Sequence, residues 1–410
     1  MIVRFYALTV LFIGMFSTQV IATIHVYRSN LALLHTTIAV GDAGYLNVPN
    51  AQVMSHLDNL ATAAAGGLFF TLSIGAGLSL LTLIAAWLWE RVFRRRRLVS
   101  GVYLIVLSTG IASVNLNGWN PMASAYLVVV PSVTWLAAIC LLPDKTVMRS
   151  RASVLWPVAA ALILTLLWGL VLDRSLFINI RDYLLLGTRF GQAVTDAYYT
   201  YTLYPAEAFK SLAQKQIRTC VLERDMAPSV KERLDRTMRS HNYLPVPVGD
   251  PAHVDISYDA EEKLFSMKHH HVTVMQVPAD RFFAETGKTL SAYSDNLDKN
   301  RIFRMLTLAC LLIGYPLILY ILVYSILAIL PGLFFSYALT DAVTAGLCLA
   351  IGTLLLVPVY QGSKASVDIG DMPEALSKPS EITRIAALRQ AYAAQRDITR
   401  DILKHNLIQK

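Results

Sequence analysis

Three consecutive histidines are the part of this sequence whose residue types and spacing could do chemistry. His269 and His271 lie two residues apart in residues 264–277, a segment rich in β-branched residues and methionine that we predict to be a strand. Side chains two residues apart on a strand project from the same face, and such a pair can supply two zinc ligands. His253 or Asp255, on the strand predicted before this one, would supply a third.

The same two imidazoles have a simpler interpretation as half-buried, hydrogen-bonded side chains of a strand. They share their predicted face with Phe265, Met267 and Met275, which suit the core of an ordinary sheet. A closed metal site needs three or four ligands, and no second cluster with metal-ligand spacing accompanies them in the sequence. We therefore predict neither a metal nor another cofactor, and keep a membrane-bound metalloenzyme using His269 and His271 as an alternative.

Other catalytic signatures are missing from the sequence. The four cysteines form no CxxC or CxxCH motif, which excludes thioredoxin-like redox chemistry and covalent haem attachment. No GxSxG elbow and no glycine-rich phosphate loop occur. These observations favour a non-enzymatic protein over an enzyme.

Charge is scarce and unevenly distributed along the chain. Charged residues make up 16% of the sequence, whereas about a quarter of the residues of a soluble protein are charged. No lysine or arginine occurs in residues 29–89, while residues 173–301 have an ordinary soluble composition. This distribution predicts a polytopic membrane protein with one soluble domain. Much of the net charge of +8 lies beside the predicted spans, where it orients the chain, so we predict no nucleic-acid partner. The predicted partners are membrane lipid and other envelope proteins.

Apolar runs of the ~20 residues that a bilayer requires predict about seven membrane spans. The four arginines Arg94, Arg95, Arg96 and Arg97 make the loop after the second span strongly basic, and the loop after the fourth span is also basic. Basic loops stay in the cytoplasm, which places the N terminus inside and residues 173–301 outside. The predicted membrane is the plasma (inner) membrane. The predicted spans are residues 5–26, 66–89, 98–116, 122–142, 154–172, 305–330 and 342–360.

The predicted fold is a polytopic α-helical membrane protein of about seven spans, N-in, with an α+β extracytoplasmic domain and a helical C-terminal tail. A polar loop is expected directly after residue 26. The predicted boundaries are residues 1–172 for a five-span region, 173–301 for the outer domain, 302–360 for a two-span region and 361–410 for the tail.

The outer domain is predicted to mix helices with a hairpin. Pro205 suits the first turn of a helix, and three prolines in residues 244–251 exclude helix there. Helix should resume after Pro278. The predicted elements are helices at residues 181–204, 206–223 and 228–239, and strands at 254–258 and 264–277 joined by a turn at 259–263.

The tail is predicted to be an amphipathic helical segment. Ile385, Leu388 and Ile402 belong to apolar stripes at helical spacing and are the predicted partner-binding residues. The run of residues 379–388, Pro-Ser-Glu-Ile-Thr-Arg-Ile-Ala-Ala-Leu, resembles a HEAT-type helical repeat. The resemblance implies a helical pair that contacts another protein, and short helices are marginal in water without such a covering surface.

The leading functional hypothesis is a non-enzymatic integral membrane protein. Its outer domain and tail would contact other proteins of the cell envelope, as an assembly factor, scaffold or sensor. A transporter or permease component is the alternative, but no Asp, Glu, Lys or Arg lies in the middle of a predicted span, and ion-coupled carriers generally need such groups. The small residues Gly66, Gly67, Gly75 and Gly77 of the second span predict close helix packing instead.

Overall fold

The protein is described by a computed structural model that divides into two compact units. The structure describes residues 2–45, 56–93, 97–141, 151–171, 189–215 and 217–364, together with residues 373–374 and 387. The first unit comes from residues 1–144 and 201–318, and the second from residues 145–200 and 319–410. The first unit contains both a β-sheet and the helices that carry it.

Six helices of the described chain are long and apolar enough to cross a membrane. The span predicted at residues 154–172 is also helical, but its apolar part, Trp156–Val171, is shorter than the other six. The helices before the sheet are α1 (Ile2–Asp42), α2 (Leu60–Phe70), α3 (Ala76–Trp87), α4 (Arg97–Val114), α5 (Pro121–Cys140), α6 (Arg151–Val171) and α7 (Arg189–Phe209).

The first helix is about twice as long as a membrane span requires. It has 41 residues, which correspond to about 60 Å, whereas the hydrocarbon core of a bilayer is about 30 Å thick. The polar loop predicted after residue 26 is therefore wrong as far as Asp42, because the helix continues through Arg28 to that residue. Its last turns stay ordered because Ala39 and Val40 are buried against the sheet, which composition alone does not indicate.

Glycines let α1 approach the second membrane helix closely, as the sequence predicted. A Cβ atom on Gly67 would lie 3.2 Å from the backbone nitrogen of Thr23. One on Gly75 would lie 2.7 Å from the side chain of Thr18. Real Cβ atoms rarely come this close to a neighbour, so larger residues at these positions would push the helices apart.

Two π-helical turns meet where α3 packs on the helix that follows the sheet. The turns are Thr71–Gly75 and Cys310–Gly314. A Cβ atom on Gly314 would lie 2.7 Å from the Cα of Gly77, and one on Gly77 would lie 2.3 Å from the Sγ of Cys310. The two backbones are therefore in direct contact, and the small residues of both helices are required by this packing.

The sheet has five strands in the order β2-β1-β3-β4-β5. Strand β1 lies between β2 and β3 and pairs in parallel with both, and β3, β4 and β5 form an antiparallel meander. The predicted hairpin is confirmed by the pairing of β3 with β4. The strands are β1 (Arg218–Leu222), β2 (Tyr243–Pro245), β3 (Val254–Asp259), β4 (Leu264–His269) and β5 (Val272–Pro278).

The helix predicted at residues 206–223 is wrong, because its second half is strand β1. We call the five strands and the helices packed on them the sheet domain. Cys220 and Leu222 lie in the core of this domain, while Val221 contacts the end of α1 on the other face of the sheet. A strand buried on both faces has no alternating pattern, so periodicity cannot separate it from a buried helix. Pro205 also does not begin a helix, since α7 continues through it to Phe209.

Helices cover one face of the sheet and lead back to the membrane helices. The helix predicted at residues 228–239 is confirmed by α8, and helix resumes after Pro278 as predicted, although as separate helices. Leu234, Phe282 and Tyr293 from these helices are buried in the domain core. The remaining helices are α8 (Pro228–Ser240), α9 (Ala279–Ala284), α10 (Thr286–Leu297), α11 (Arg301–Ala309), α12 (Tyr315–Leu327), α13 (Ile329–Phe334) and α14 (Tyr337–Lys364).

The second unit is built on α6 and α14. The indole nitrogen of Trp168 donates a hydrogen bond of 3.2 Å to the carbonyl of Gly352. The hydroxyl of Tyr324 donates to the carboxylate of the fully buried Asp341 at 3.2 Å. These bonds satisfy polar groups that would otherwise be costly among apolar helices.

The contact between Gly314 and Gly77 gives a test of the bundle packing. We expect Gly314→Ala to lower the unfolding free energy of the purified protein by about 1–3 kcal/mol, because the new methyl group overlaps backbone atoms. Gly101→Ala in α4 is the matched control, since nothing lies within 4 Å of its Cβ position. Thermal unfolding in detergent measures both, and equal melting temperatures for the two variants would contradict this packing.

Candidate functional site

The histidine triplet forms the turn between β4 and β5. His269 ends β4, and His270 and His271 are the two turn residues with φ values of 47° and 65°. Positive φ at both positions is the backbone of a type I′ turn. The prediction of a single strand over residues 264–277 is therefore wrong, and so is the prediction that His269 and His271 share one face of it.

His253 is held as a neutral acceptor at the start of β3. The backbone N–H of Thr219 donates to its Nδ1 at 3.1 Å, and the hydroxyl of Thr219 lies 3.0 Å from the same atom. A backbone N–H can only donate, so Nδ1 carries no proton. Burial, reinforced by the nearby Lys215, lowers the pKa of His253 to about 3.

His269 and His253 do come together, but through a backbone atom. The Nδ1 of His269 donates to the carbonyl oxygen of His253 at 3.1 Å. The hydroxyl of Tyr293 lies 3.1 Å from that same oxygen and 2.8 Å from the carbonyl of Lys268. Burial lowers the pKa of His269 as well. The described chain contains no group of three or more side chains that could hold a metal ion.

The end of α1 packs against the part of the sheet in which β1 and β2 pair in parallel. We call this contact the seat of α1. Ala39 and Val40 form one buried apolar cluster with Val221 of β1 and with Val246, which follows β2. The guanidinium of Arg239 lies 5.3 Å from the ring centre of Tyr45 just beyond the helix, within reach of a cation–π interaction. The helix that begins in the bundle thus ends as part of the sheet domain.

A second connection lies where α10 passes into α11. Arg304 donates through Nη1 to Asp298 Oδ1 at 3.0 Å and to the carbonyl of Phe209 at 2.7 Å, and its Nη2 also contacts the Asp298 carboxylate. Asp298 accepts a further bond of 3.1 Å from the backbone N–H of Asn300. Because both charged groups are mostly buried, their several hydrogen bonds are needed to offset desolvation.

The turn between α4 and α5 is bonded to the same segment. The side-chain nitrogen of Asn120 donates to the carbonyl of Lys299 at 3.2 Å and to Oδ1 of Asn300 at 2.8 Å. The side chain of Asn117 donates to the carbonyl of Asp298 at 3.3 Å. We define this set of bonds, with the Arg304–Asp298 pair, as the polar clamp. The sequence prediction missed it, although several asparagines in a short uncharged turn were a signal.

Aromatic rings fill the bundle directly beneath the polar clamp. Phe303 stacks on Phe70 with ring centres 6.3 Å apart, and its centre lies 5.3 Å from that of Tyr126. His25 of α1 packs against Phe70 at 5.1 Å. Since α1, α2, α5 and α11 each contribute a ring, the cluster fixes these helices at the end of the bundle that faces the sheet domain.

Strand β5 forms an open edge of the sheet. Among the described residues it pairs with β4 alone. Val272, Thr273 and Gln276 are exposed along it, and the strand carries no charged side chain. Natural sheets usually protect such edges with lysine, proline or a covering element, whereas β5 carries no lysine and has a proline only at its last residue, Pro278.

The remaining predicted residues fall at or beyond the limits of the described chain. Arg97 is the first residue of α4 and is exposed. Its neighbours Arg94, Arg95 and Arg96 lie outside the described residues. The predicted partner-binding residues Ile385, Leu388 and Ile402 also lie outside them.

Comparison with known proteins assigns no relative to this chain. No protein-family model, no curated protein and no solved structure matches it.

The turn geometry predicts the outcome of a substitution in the histidine triplet. Replacing His270→Asn together with His271→Gly should raise the unfolding free energy by roughly 1 kcal/mol, because these residues tolerate the left-handed backbone of a type I′ turn. His269→Gly is the control and should destabilise, since His269 lies in the strand and bonds to His253. A drop in melting temperature for the double variant, or loss of a stoichiometric metal, would refute the turn assignment.

Proposed function

We propose that this protein is a non-enzymatic integral protein of the plasma (inner) membrane whose sheet domain makes contacts with other envelope proteins. In this proposal the N terminus is cytoplasmic and residues 173–301 are extracytoplasmic. The protein would act as an assembly factor, scaffold or sensor. The observation that carries the proposal is the sheet domain's double attachment to the bundle, which leaves the β5 edge open.

A fixed domain is what a contact platform requires. A domain on flexible linkers moves independently, but here the seat of α1 on the sheet and the polar clamp join the domain to the bundle at two places. Partners that bind the domain would consequently be held at a set distance from the membrane. This rigidity supports a scaffold or sensor over a loosely tethered binding module.

The proposed orientation is supported by the basic loops together with the described contacts. The end of α1, the α4–α5 turn and the start of α11 all meet at the sheet domain's end of the bundle. Arg97, whose preceding neighbours in the sequence are also arginines, begins α4 and thus lies at the opposite end of that helix. Because basic loops remain in the cytoplasm, this arrangement supports a sheet domain outside it.

The close helix packing supports a stem rather than a transport pathway. Gly75 approaches Thr18, and Gly77 approaches Gly314, with no room for even a methyl group. A pathway for a polar substrate needs water-filled space lined by groups that can bind it. In this part of the bundle the helices are instead in van der Waals contact.

The exposed edge of β5 is the proposed contact surface. Adding a strand from a partner would satisfy its unpaired backbone groups, a common way of recognising extended peptides. Side chains on both faces of this strand, including Val274 and Met275, are partly buried, and the exposed ones are small or uncharged. An extended segment of an envelope protein is therefore the partner that the edge would fit.

Reporter fusions test the orientation. A reporter that is active only outside the cytoplasm should be active when fused after Asp250 and silent when fused after Arg97. The Asp250 fusion lies between β2 and β3 and the Arg97 fusion at the start of α4, so the two report on opposite ends of the bundle. The reverse pattern would overturn the proposed side of the sheet domain.

Site-specific photo-crosslinking in cells tests the contact surface. A photoreactive phenylalanine analogue at Thr273 should give a discrete adduct with another envelope protein, because Thr273 is exposed on the β5 edge. The matched control is the same analogue at Glu261, an exposed residue in the β3–β4 turn of the same domain. The substitutions Val272→Lys and Gln276→Lys, made together with the analogue at Thr273, should abolish the adduct, since charges on an edge strand block pairing with another strand.

Two outcomes would contradict the assignment of the edge. The same adduct from Glu261 would mean that crosslinking reports proximity and not pairing. The second outcome is that the analogue gives no adduct at Thr273 and none when it is placed at Gln276 instead, with both variants present at normal levels. This result would remove β5 as the contact surface.

A further inference from the structure

The α4–α5 turn presents apolar side chains at the end of two membrane-length helices. Leu116 is 73% exposed and Trp119 is 67% exposed, although both are large and apolar. α4 ends at Val114 and α5 begins at Pro121, so the turn lies at the boundary between the apolar helices and the sheet domain. Tryptophan at this level of a membrane protein settles among lipid headgroups.

The segment that connects the sheet domain to α11 brings the cationic side chain of Lys299 to this turn. The Asn120 side chain binds the carbonyl of Lys299, and the Lys299 side chain lies across Gly118. A Cβ atom on Gly118 would lie 3.2 Å from Cε of Lys299, and the φ of Gly118 is +106°, so both space and backbone favour glycine there. Arg301 follows two residues later at the start of α11.

These cations differ from Arg304, whose charge is used within the fold. Arg304 is paired with Asp298, so that carboxylate is already neutralised. Lys299 and Arg301 are exposed and have no ion-pair partner within the part of the chain that the structure describes. One turn further along α11, Met305 is 64% exposed, which marks the beginning of the lipid-facing surface.

We propose that Trp119, Lys299 and Arg301 form a binding site for the headgroup of an anionic phospholipid. The two cations would contact the phosphate groups while Trp119 and Leu116 lie along the upper acyl chains. Charge complementarity and continuity with the lipid-facing surface of α11 identify the occupant as a membrane lipid and not a soluble anion. The site does not depend on the partner proposed for β5 or on the side of the membrane on which the sheet domain lies.

Fluorescence quenching tests the proposal with the full-length protein in phosphatidylcholine vesicles. A small fraction of brominated phosphatidylglycerol or brominated phosphatidylcholine is added to the vesicles. The fluorescence of Trp119 is obtained by subtracting the fluorescence of the Trp119→Phe variant from that of the unmodified protein. We expect the site to prefer phosphatidylglycerol by roughly 10- to 30-fold, the value for two cations near a membrane surface. Lys299→Gln with Arg301→Gln should reduce this preference to near parity.

The control carries two charge removals on the same domain away from the turn. Lys231→Gln with Arg236→Gln in α8 should keep the full preference, because α8 lies against the sheet. Added sodium chloride should weaken the preference of the unmodified protein, which provides a measurement that needs no variant to fold. Equal quenching by the two lipids in the unmodified protein would overturn the site. Displacement of phosphatidylglycerol by inorganic phosphate would overturn the lipid as its occupant.

Discussion

The continuity of α1 is the constraint on which the rest of the structure depends. One helix passes from the glycine-packed bundle, through the aromatic cluster at His25, to the apolar seat at Ala39 and Val40. A helix transmits its position along its whole length because every turn is bonded to the next. The sheet domain therefore cannot turn relative to the bundle without breaking either the helix or its seat.

The polar clamp complements this helix at the other side of the domain. α1 is held by apolar burial, whereas Arg304, Asp298 and Asn120 are held by directional bonds that fix the register of α11. The middle of α1 also contains Asn30, which is fully buried and has no hydrogen-bond partner among the described residues. An unbonded buried amide is costly. The stability of the junction must therefore come from the apolar seat, the aromatic cluster and the clamp.

Local patterns predicted those parts of the fold that local physics decides. The apolar runs predicted the membrane helices, the small residues at Gly75 and Gly77 predicted close packing, and the polar turn after residue 258 predicted the β3–β4 hairpin. The errors occurred where tertiary contacts decide. Strand β1 is buried on both faces, and α1 continues because the sheet covers its end. The turn at His270 and His271 depends on the pairing of β4 with β5, which no sequence motif indicates.

The strand order separates the contact with α1 from the open edge at β5. The seat of α1 involves β1 and the chain beside β2, while β5 is the opposite edge of the same sheet. A chain that paired with β5 would add to the sheet without displacing Val221 or Val246 from α1. Each strand between the two edges is paired with the next, with one register shift between β4 and β5 at Met267 and Lys268, so a load on β5 would reach α1 through β4, β3 and β1 in turn. Under the proposed function, this arrangement would let the domain stay attached to α1 while a partner pairs with β5.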